Sequence, residues 1–84
     1  MISDKNKALA KVLAKAVGER IRELRLQKDM SQEALANEAD VPLSQIGRIE
    51  RGENNPTIST LYVIAEALGI EVKVLVDVKI KRHH

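Results

Sequence analysis

The chain has no cysteine, no tryptophan and no phenylalanine, and Tyr62 is its one aromatic residue. Without cysteine there is neither a disulfide framework nor a thiolate metal site, so a reducing, cytoplasmic location is the expectation. A lone tyrosine inside an apolar stretch does not make the stacking platform used by readers of RNA or single-stranded DNA. The two histidines are His83 and His84, an adjacent terminal pair that reads as the remnant of a purification tag and is set aside. What remains has no histidine, no cysteine and no glycine-rich phosphate loop, and its carboxylates fall on exposed helical faces, so an enzyme is a poor reading and no cofactor or metal is expected. No apolar run is long enough for a signal peptide or a membrane span, which leaves no expected membrane partner.

A strong charge imbalance is missing too. The formal net charge is +2 over 84 residues, and it is unevenly spread: residues 1 to 30 hold eight Lys/Arg against four Asp/Glu, whereas residues 31 to 56 hold two against five. Bulk attraction to a polyanion is therefore weak over the middle of the chain, and any nucleic acid bound there must be held by specific geometry. At this length one small domain is expected, near the size at which a single core is marginally sufficient and dimerisation is a common supplement.

The positive signals begin with helical periodicity. Lys5 to Lys28 is rich in Ala, Leu, Lys, Arg and Glu, and Leu9, Val12, Leu13, Ala16, Val17, Ile21 and Leu24 form a slowly drifting apolar stripe, so a long helix capped by Ser3 or Asp4 is predicted. Gly18 costs such a helix about 1 kcal/mol relative to alanine and marks the place where a break would fall. The stripe implies that Leu9 and Leu13 bury against the C-terminal segment or a second subunit.

Ser31 is placed as an N-cap for a helix from Gln32 to Ala39, with Met30 before it as a hydrophobic staple. Asp40-Val41-Pro42 stops that helix, and Pro42 suits the first turn of another running from Leu43 to Arg51. Ile46, Ile49 and Leu43 face one side of this second helix; Ser44, Gln45, Gly47, Arg48 and Arg51 lie on the other or at its edges, and Gly52 is a left-handed stop. Glu53-Asn54-Asn55-Pro56 has strong turn chemistry. Thr57 then caps a helix from Ile58 to Leu68, with Ile58, Leu61, Ile64, Ala65 and Leu68 inward, Tyr62 partly buried, and Gly69 at its end.

In this order and spacing Arg25, Ser31-Gln32-Glu33-x-Leu35-Ala36, Val41, Ile46-x-x-Ile49-Glu50-Arg51-Gly52, Pro56 and Leu61-x-x-Ile64-Ala65-x-x-Leu68-Gly69-Ile70 resemble the helix-turn-helix of the phage-repressor and Cro superfamily, the XRE family. The likeness covers roughly residues 16 to 71 and centres on Ser31 to Gly52. It implies a mainly α, lambda-repressor-like domain of four to five helices that binds double-stranded DNA. It also implies that Pro42, Leu43, Ser44, Gly47 and Arg48, in the first part of the recognition helix, meet base edges. Arg48 is the best candidate for guanine O6 and N7. Gly47 leaves a gap, read either as close approach to DNA or as relaxed specificity at one base. Gln32 matches the family residue that binds a phosphate, and Gln45, Arg51, Asn54 and Asn55 flank the groove as further phosphate contacts. For Arg25 the resemblance implies a salt bridge with Glu50; a phosphate contact is the other reading.

The C-terminal stretch departs from the family pattern. Val72, Val74, Val76, Val78 and Ile80 alternate with mostly polar residues, which predicts a strand. With nothing else strand-like in the chain, its expected partner is the same strand of a second copy, giving a homodimer through these five residues; a frayed tail or a helix is the other reading. Persistence-type, HipB-like antitoxins are similar in placing such a strand after the helix-turn-helix. The organisation expected is thus a helical domain over 1–71, a dimerisation strand over 72–82 and a tag remnant at 83–84. A dimeric repressor reading an inverted repeat is the functional expectation, and an antitoxin that holds a toxin partner is the alternative.

Overall fold

The computed structural model describes residues 3–80. Among these, α1 (Asp4–Gln27), α2 (Gln32–Ala39), α3 (Leu43–Glu50), α4 (Ile58–Leu68) and α5 (Val72–Leu75) account for all regular structure.

Local chemistry sets the helix starts. Ser3, Ser31 and Thr57 each sit in extended backbone just before a helix and accept a hydrogen bond from the amide three residues on, at 3.2, 2.9 and 3.1 Å. Each satisfies one amide that the first helical turn leaves without a carbonyl. Pro42 lies one residue outside α3, in the cap position with ψ near 140°, and not in the first turn as the sequence suggested. It offers no side-chain hydrogen bond, and its carbonyl instead accepts from the Gln45 and Ile46 amides at 3.0 and 3.1 Å.

The first four helices share one ending. After α1, α2, α3 and α4 a residue with positive φ (Asp29, Asp40, Gly52 and Gly69) turns the chain, and the amide of the residue that follows reaches the carbonyl five positions back. These bonds are Met30 to Arg25, Val41 to Ala36, Glu53 to Arg48 and Ile70 to Ala65, all between 2.9 and 3.1 Å. The pattern is the Schellman ending, in which glycine carries no steric cost and aspartate a tolerable one.

Ile21, Leu35, Ile46, Ile49, Ile64, Leu68 and Leu75 are the large side chains that vanish from the surface. α1 packs on α3, α2 lies between α3 and α4, and α5 closes the remaining edge against α4 and α1. Gly18 does not break α1. A Cβ built there would stand 2.2 Å from the Ile49 carbonyl oxygen, so glycine is what lets α1 cross the end of α3 backbone to backbone. The first turns of α1 run past the core: Ala14 is the first buried residue, Leu13 is 38% exposed, and the long dimension of the molecule is 39 Å. Leu13 is therefore exposed and Leu9 half-buried within one protomer.

Three expectations require correction. The strand predicted from Val72 onward is instead the short helix α5, followed by irregular backbone to Ile80. Alternation would have turned Leu75 away from the valine face, whereas a helical turn drops Leu75 wholly into the core, and Arg20 Nε secures the turn by donating to the Val74 carbonyl at 3.1 Å. Tertiary packing thus outweighs the preference of β-branched residues for strands. Ile58, the first residue of α4, is not inward but 82% exposed, and Tyr62, one turn further along, is 55% exposed. Lys81 and Arg82 at the end of the expected strand, and the His83 and His84 pair, lie outside the described residues.

Candidate nucleic-acid interface

The α2-turn-α3 unit is held from behind. Ile46 and Ile49 are buried, as are Leu35, Ala36 and Ala39 of α2, and Asp40 makes the left-handed corner between the helices. This fixes α3 by its inner face and leaves its outer face free. Pro42, Leu43, Ser44, Arg48 and Arg51 are exposed there, and Gln45 is half-buried. Leu43, expected with the inward isoleucines or against DNA, is 47% exposed.

The end of α3 is tied to the other helices by one buried carboxylate. Arg25 donates Nε to Glu50 Oε2 at 2.7 Å and Nη2 to Glu50 Oε1 at 2.9 Å, while its Nη1 reaches the Met30 carbonyl at 2.8 Å. Gln32 Nε2 adds a third bond to Glu50 Oε1 at 3.0 Å. The Glu50 hydrogen bond pushes the Arg25 pKa above its ordinary value against the opposing effect of burial, with Coulombic attraction adding to it. Each of the three guanidinium nitrogens of Arg25 thus makes one hydrogen bond inside the protein, and the residue is only 7% exposed. Gln32 is half-buried, and its amide is oriented by Glu50 at the first residue of α2. Sequence reasoning missed this third leg.

It also missed the use made of Gly47. This residue is buried, and a Cβ there would fall 3.1 Å from Nη1 of Arg51 and 3.9 Å from Oε1 of Gln32. The gap is not open: the Arg51 side chain lies back over it from one turn further along. Arg51 also makes a two-pronged pair with Glu53, 2.7 and 3.3 Å, on the exposed rim. That hydrogen bond holds the Glu53 carboxyl below its usual range and the Arg51 guanidinium above its own. The i, i+4 spacing of Gly47 and Arg51 was the available signal.

Arg48 is held only loosely, with Nε 3.4 Å from the Ser44 carbonyl, and its head projects from the exposed face. Asn54 is half-buried and Asn55 exposed on the loop after α3, beside Lys11 and Lys15 of α1. Among the described residues no group of three metal-ligating side chains comes together, and no helix is long and apolar enough to cross a membrane.

The helix-turn-helix family model, HTH_3, matches residues 21–75. Control protein C.BamHI of Bacillus amyloliquefaciens is 43% identical over 61 residues, which span 71% of this chain and 75% of that protein. The immunity repressor protein of Bacillus phage phi105 is 42% identical over 60 residues, but the match spans only 42% of the repressor's length. The crystal structure of the restriction-modification controller protein C.AhdI from Aeromonas hydrophila superposes with a TM-score of 0.73 at 39% identity, over 74% of this chain and 94% of the controller. With the family model covering well over half of the residues, and with α2 and α3 at its centre, the chain belongs to the HTH_3 helix-turn-helix family of XRE and Cro/C1 type.

Proposed function

We propose that the chain is a transcription regulator that binds double-stranded DNA in a sequence-specific manner, as a homodimer on an inverted repeat. The supporting observation is the outer face of α3: a short helix anchored by Ile46, Ile49 and Glu50, with Leu43, Ser44 and Arg48 facing solvent. A helix of this size fits the major groove, where the base pairs present distinguishable patterns of donors and acceptors.

In this reading Arg48 donates to guanine O6 and N7, Ser44 donates or accepts, and Leu43 and Pro42 lie against a thymine methyl or a sugar edge. Gly47 lets Arg51 lie flat enough for α3 to seat. Gln32, Gln45, Arg51, Asn54 and Asn55 grip phosphates on either side of the groove, positioning the helix without reading sequence. Gln32 has one amide hydrogen committed to Glu50 and one free for a phosphate.

One copy would read only a few base pairs. Two copies whose recognition helices lie about one turn of DNA apart, ~34 Å, would read a palindrome. Ile58 and Tyr62, on one face of α4, and Val76 after α5 are large apolar side chains that the protomer leaves uncovered, and Tyr62 and Val72 line a common groove. They favour this edge as the dimer face, with Val72 at the start of α5 and Val76 just past its end, and Val74, Val78 and Ile80 nearby. Bound there, the dimer would occlude a promoter. The repressor and controller names of the relatives described above favour a regulator over an antitoxin.

Selection of bound sites from a random duplex pool tests the proposal. Enrichment of an inverted repeat with half-sites about one helical turn apart is expected; a pool that stays random after repeated rounds would overturn it.

A further inference from the structure

We propose that Lys7, Lys11 and Lys15 form a second DNA-backbone site on the overhanging half of α1, so that each protomer grips the duplex outside the base pairs that α3 reads. This inference rests on the regulator reading above and adds a surface that the matched family residues, 21–75, do not include.

The three lysines recur at i, i+4 and i+8, which places them in one row along the helix. At ~1.5 Å of rise per residue the row spans about 12 Å. Over that length one strand of duplex presents three to four phosphates, one per about 3.4 Å of axis.

Packing decides where the row points. Ala14 and Gly18, the buried residues at this end of α1, face the end of α3, and Lys11 and Lys15 flank them on that same side. The Lys15 Cα lies 2.7 Å from where a Cβ of Gly52 would be. Lys11 and Lys15 consequently share one open groove with Arg51, Asn54 and Asn55, the same residues proposed to meet phosphates beyond α3. Lys7 extends the row one turn further, past the edge of the core.

The charge is uncommitted. All three lysines are exposed, and among the described residues none has an ion-pair partner within 4.0 Å. Glu53, the carboxylate in the groove, is already taken by Arg51. Residues 4 to 18 carry four lysines against the single Asp4. Residues 31 to 56, which contain α2 and α3, carry two Lys/Arg against five Asp/Glu, so the overhang supplies the positive charge that this segment lacks.

The test compares the intact chain with its K7Q/K11Q/K15Q variant, which keeps helix propensity and removes three charges. Both are titrated by fluorescence anisotropy, between 50 and 200 mM salt (about a Debye length of 10 Å at the middle of that range), against two duplexes carrying a site recovered from the random pool. One duplex ends flush with the inverted repeat and the other carries flanking base pairs on both sides. The slope of log affinity against log salt should become shallower by about 2 to 3 for each bound protomer, and the advantage of the flanked duplex should disappear. Discrimination against a single-base change in the site should stay the same. Amine acetylation read by mass spectrometry gives a second measure that needs no variant: DNA should protect Lys7, Lys11 and Lys15 but not Lys73. Equal slopes for both proteins, or lysines acetylated equally with and without DNA, would overturn the overhang while leaving α3 as reader. A random pool from which the wild-type chain recovers no site would overturn the regulator reading itself.

Discussion

Arg25 and Glu50, 25 residues apart in sequence, meet through two parallel hydrogen bonds beneath the surface, with 7% and 5% of their areas exposed. Such a pair is expensive to break from one side only. Arg25→Ala leaves a buried carboxylate with Gln32 as its remaining donor, and a loss of about 3–5 kcal/mol is expected, enough to consume most of the stability of a domain this small. Replacing both partners by apolar residues, Arg25→Met with Glu50→Leu, should fold at nearly wild-type stability, because neither charge then needs compensation. Urea titration of both variants checks this. The double variant should nevertheless bind DNA more weakly, since Gln32 loses the carboxylate that orients it.

Gly18 yields the opposite of what helix propensity alone would say. Alanine is the better helix former by about 1 kcal/mol. Yet its methyl group would have to occupy space 2.2 Å from the Ile49 carbonyl oxygen and 2.9 Å from that of Glu50, both of them backbone. The two helices must separate, and overpacking of this kind costs about 1–3 kcal/mol, sometimes more. Net of the propensity gain, Gly18→Ala should lower the melting temperature by up to roughly 15 °C, measured by circular dichroism. A rise would mean that the helices slide apart freely.

These two contacts show which parts of the fold a sequence displays. α2 and α4 begin and end where Ser31, Thr57 and Gly69 say they should, because a cap and a stop are written within a few residues of the turn they govern. The Arg25 and Glu50 pair was available only through likeness to a family, since nothing local links positions that far apart. α5 was misread for the same reason. Its valines alternate as a strand would, and the deciding interaction is the pocket between α1 and α4 that takes Leu75. At the proposed DNA face, exposure of Ser44 and Arg48 followed from periodicity. The folding of Arg51 over Gly47 did not, because a glycine in sequence shows only that a side chain is missing, not what fills the space.

Arg48 is the clearest candidate for sequence discrimination. Arg48→Ala should cost about 1–3 kcal/mol per half-site on a selected operator and much less on a random duplex, since a phosphate contact is not what it would lose. Anisotropy with both DNAs measures the ratio. Equal losses on the two would remove Arg48 from the base-reading set.

Arg51 is held by Glu53, so in the proposed complex it must exchange that partner for a phosphate. Glu53 has its pKa lowered in the folded state, so the pairing is complete at neutral pH and disappears only as pH falls through that lowered value. Acidification within the working range of DNA binding therefore does not release Arg51, whereas Glu53→Gln does. The variant should bind operator and random duplex more tightly by about two- to fivefold, in line with an exposed ion pair. Unchanged affinity would indicate that Arg51 stays with its rim and does not reach the backbone.

The proposed dimer face can be separated from the fold itself because its residues are not in the core. Ile58, Tyr62 and Val76 are 82%, 55% and 45% exposed, so an aspartate at Tyr62 or Val76 removes little packing within the protomer. Buried across a twofold axis, the same aspartate would face its own copy, and two desolvated carboxylates repel. Tyr62→Asp and Val76→Asp should therefore sediment as monomers with an unchanged helical spectrum. Operator affinity should fall steeply in both, since a single α3 reads only half of the repeat, while affinity for a duplex carrying one half-site should hardly change. A variant that remains dimeric would shift the interface away from α4 and α5, toward the flank of α1 where Leu9 and Leu13 are incompletely covered.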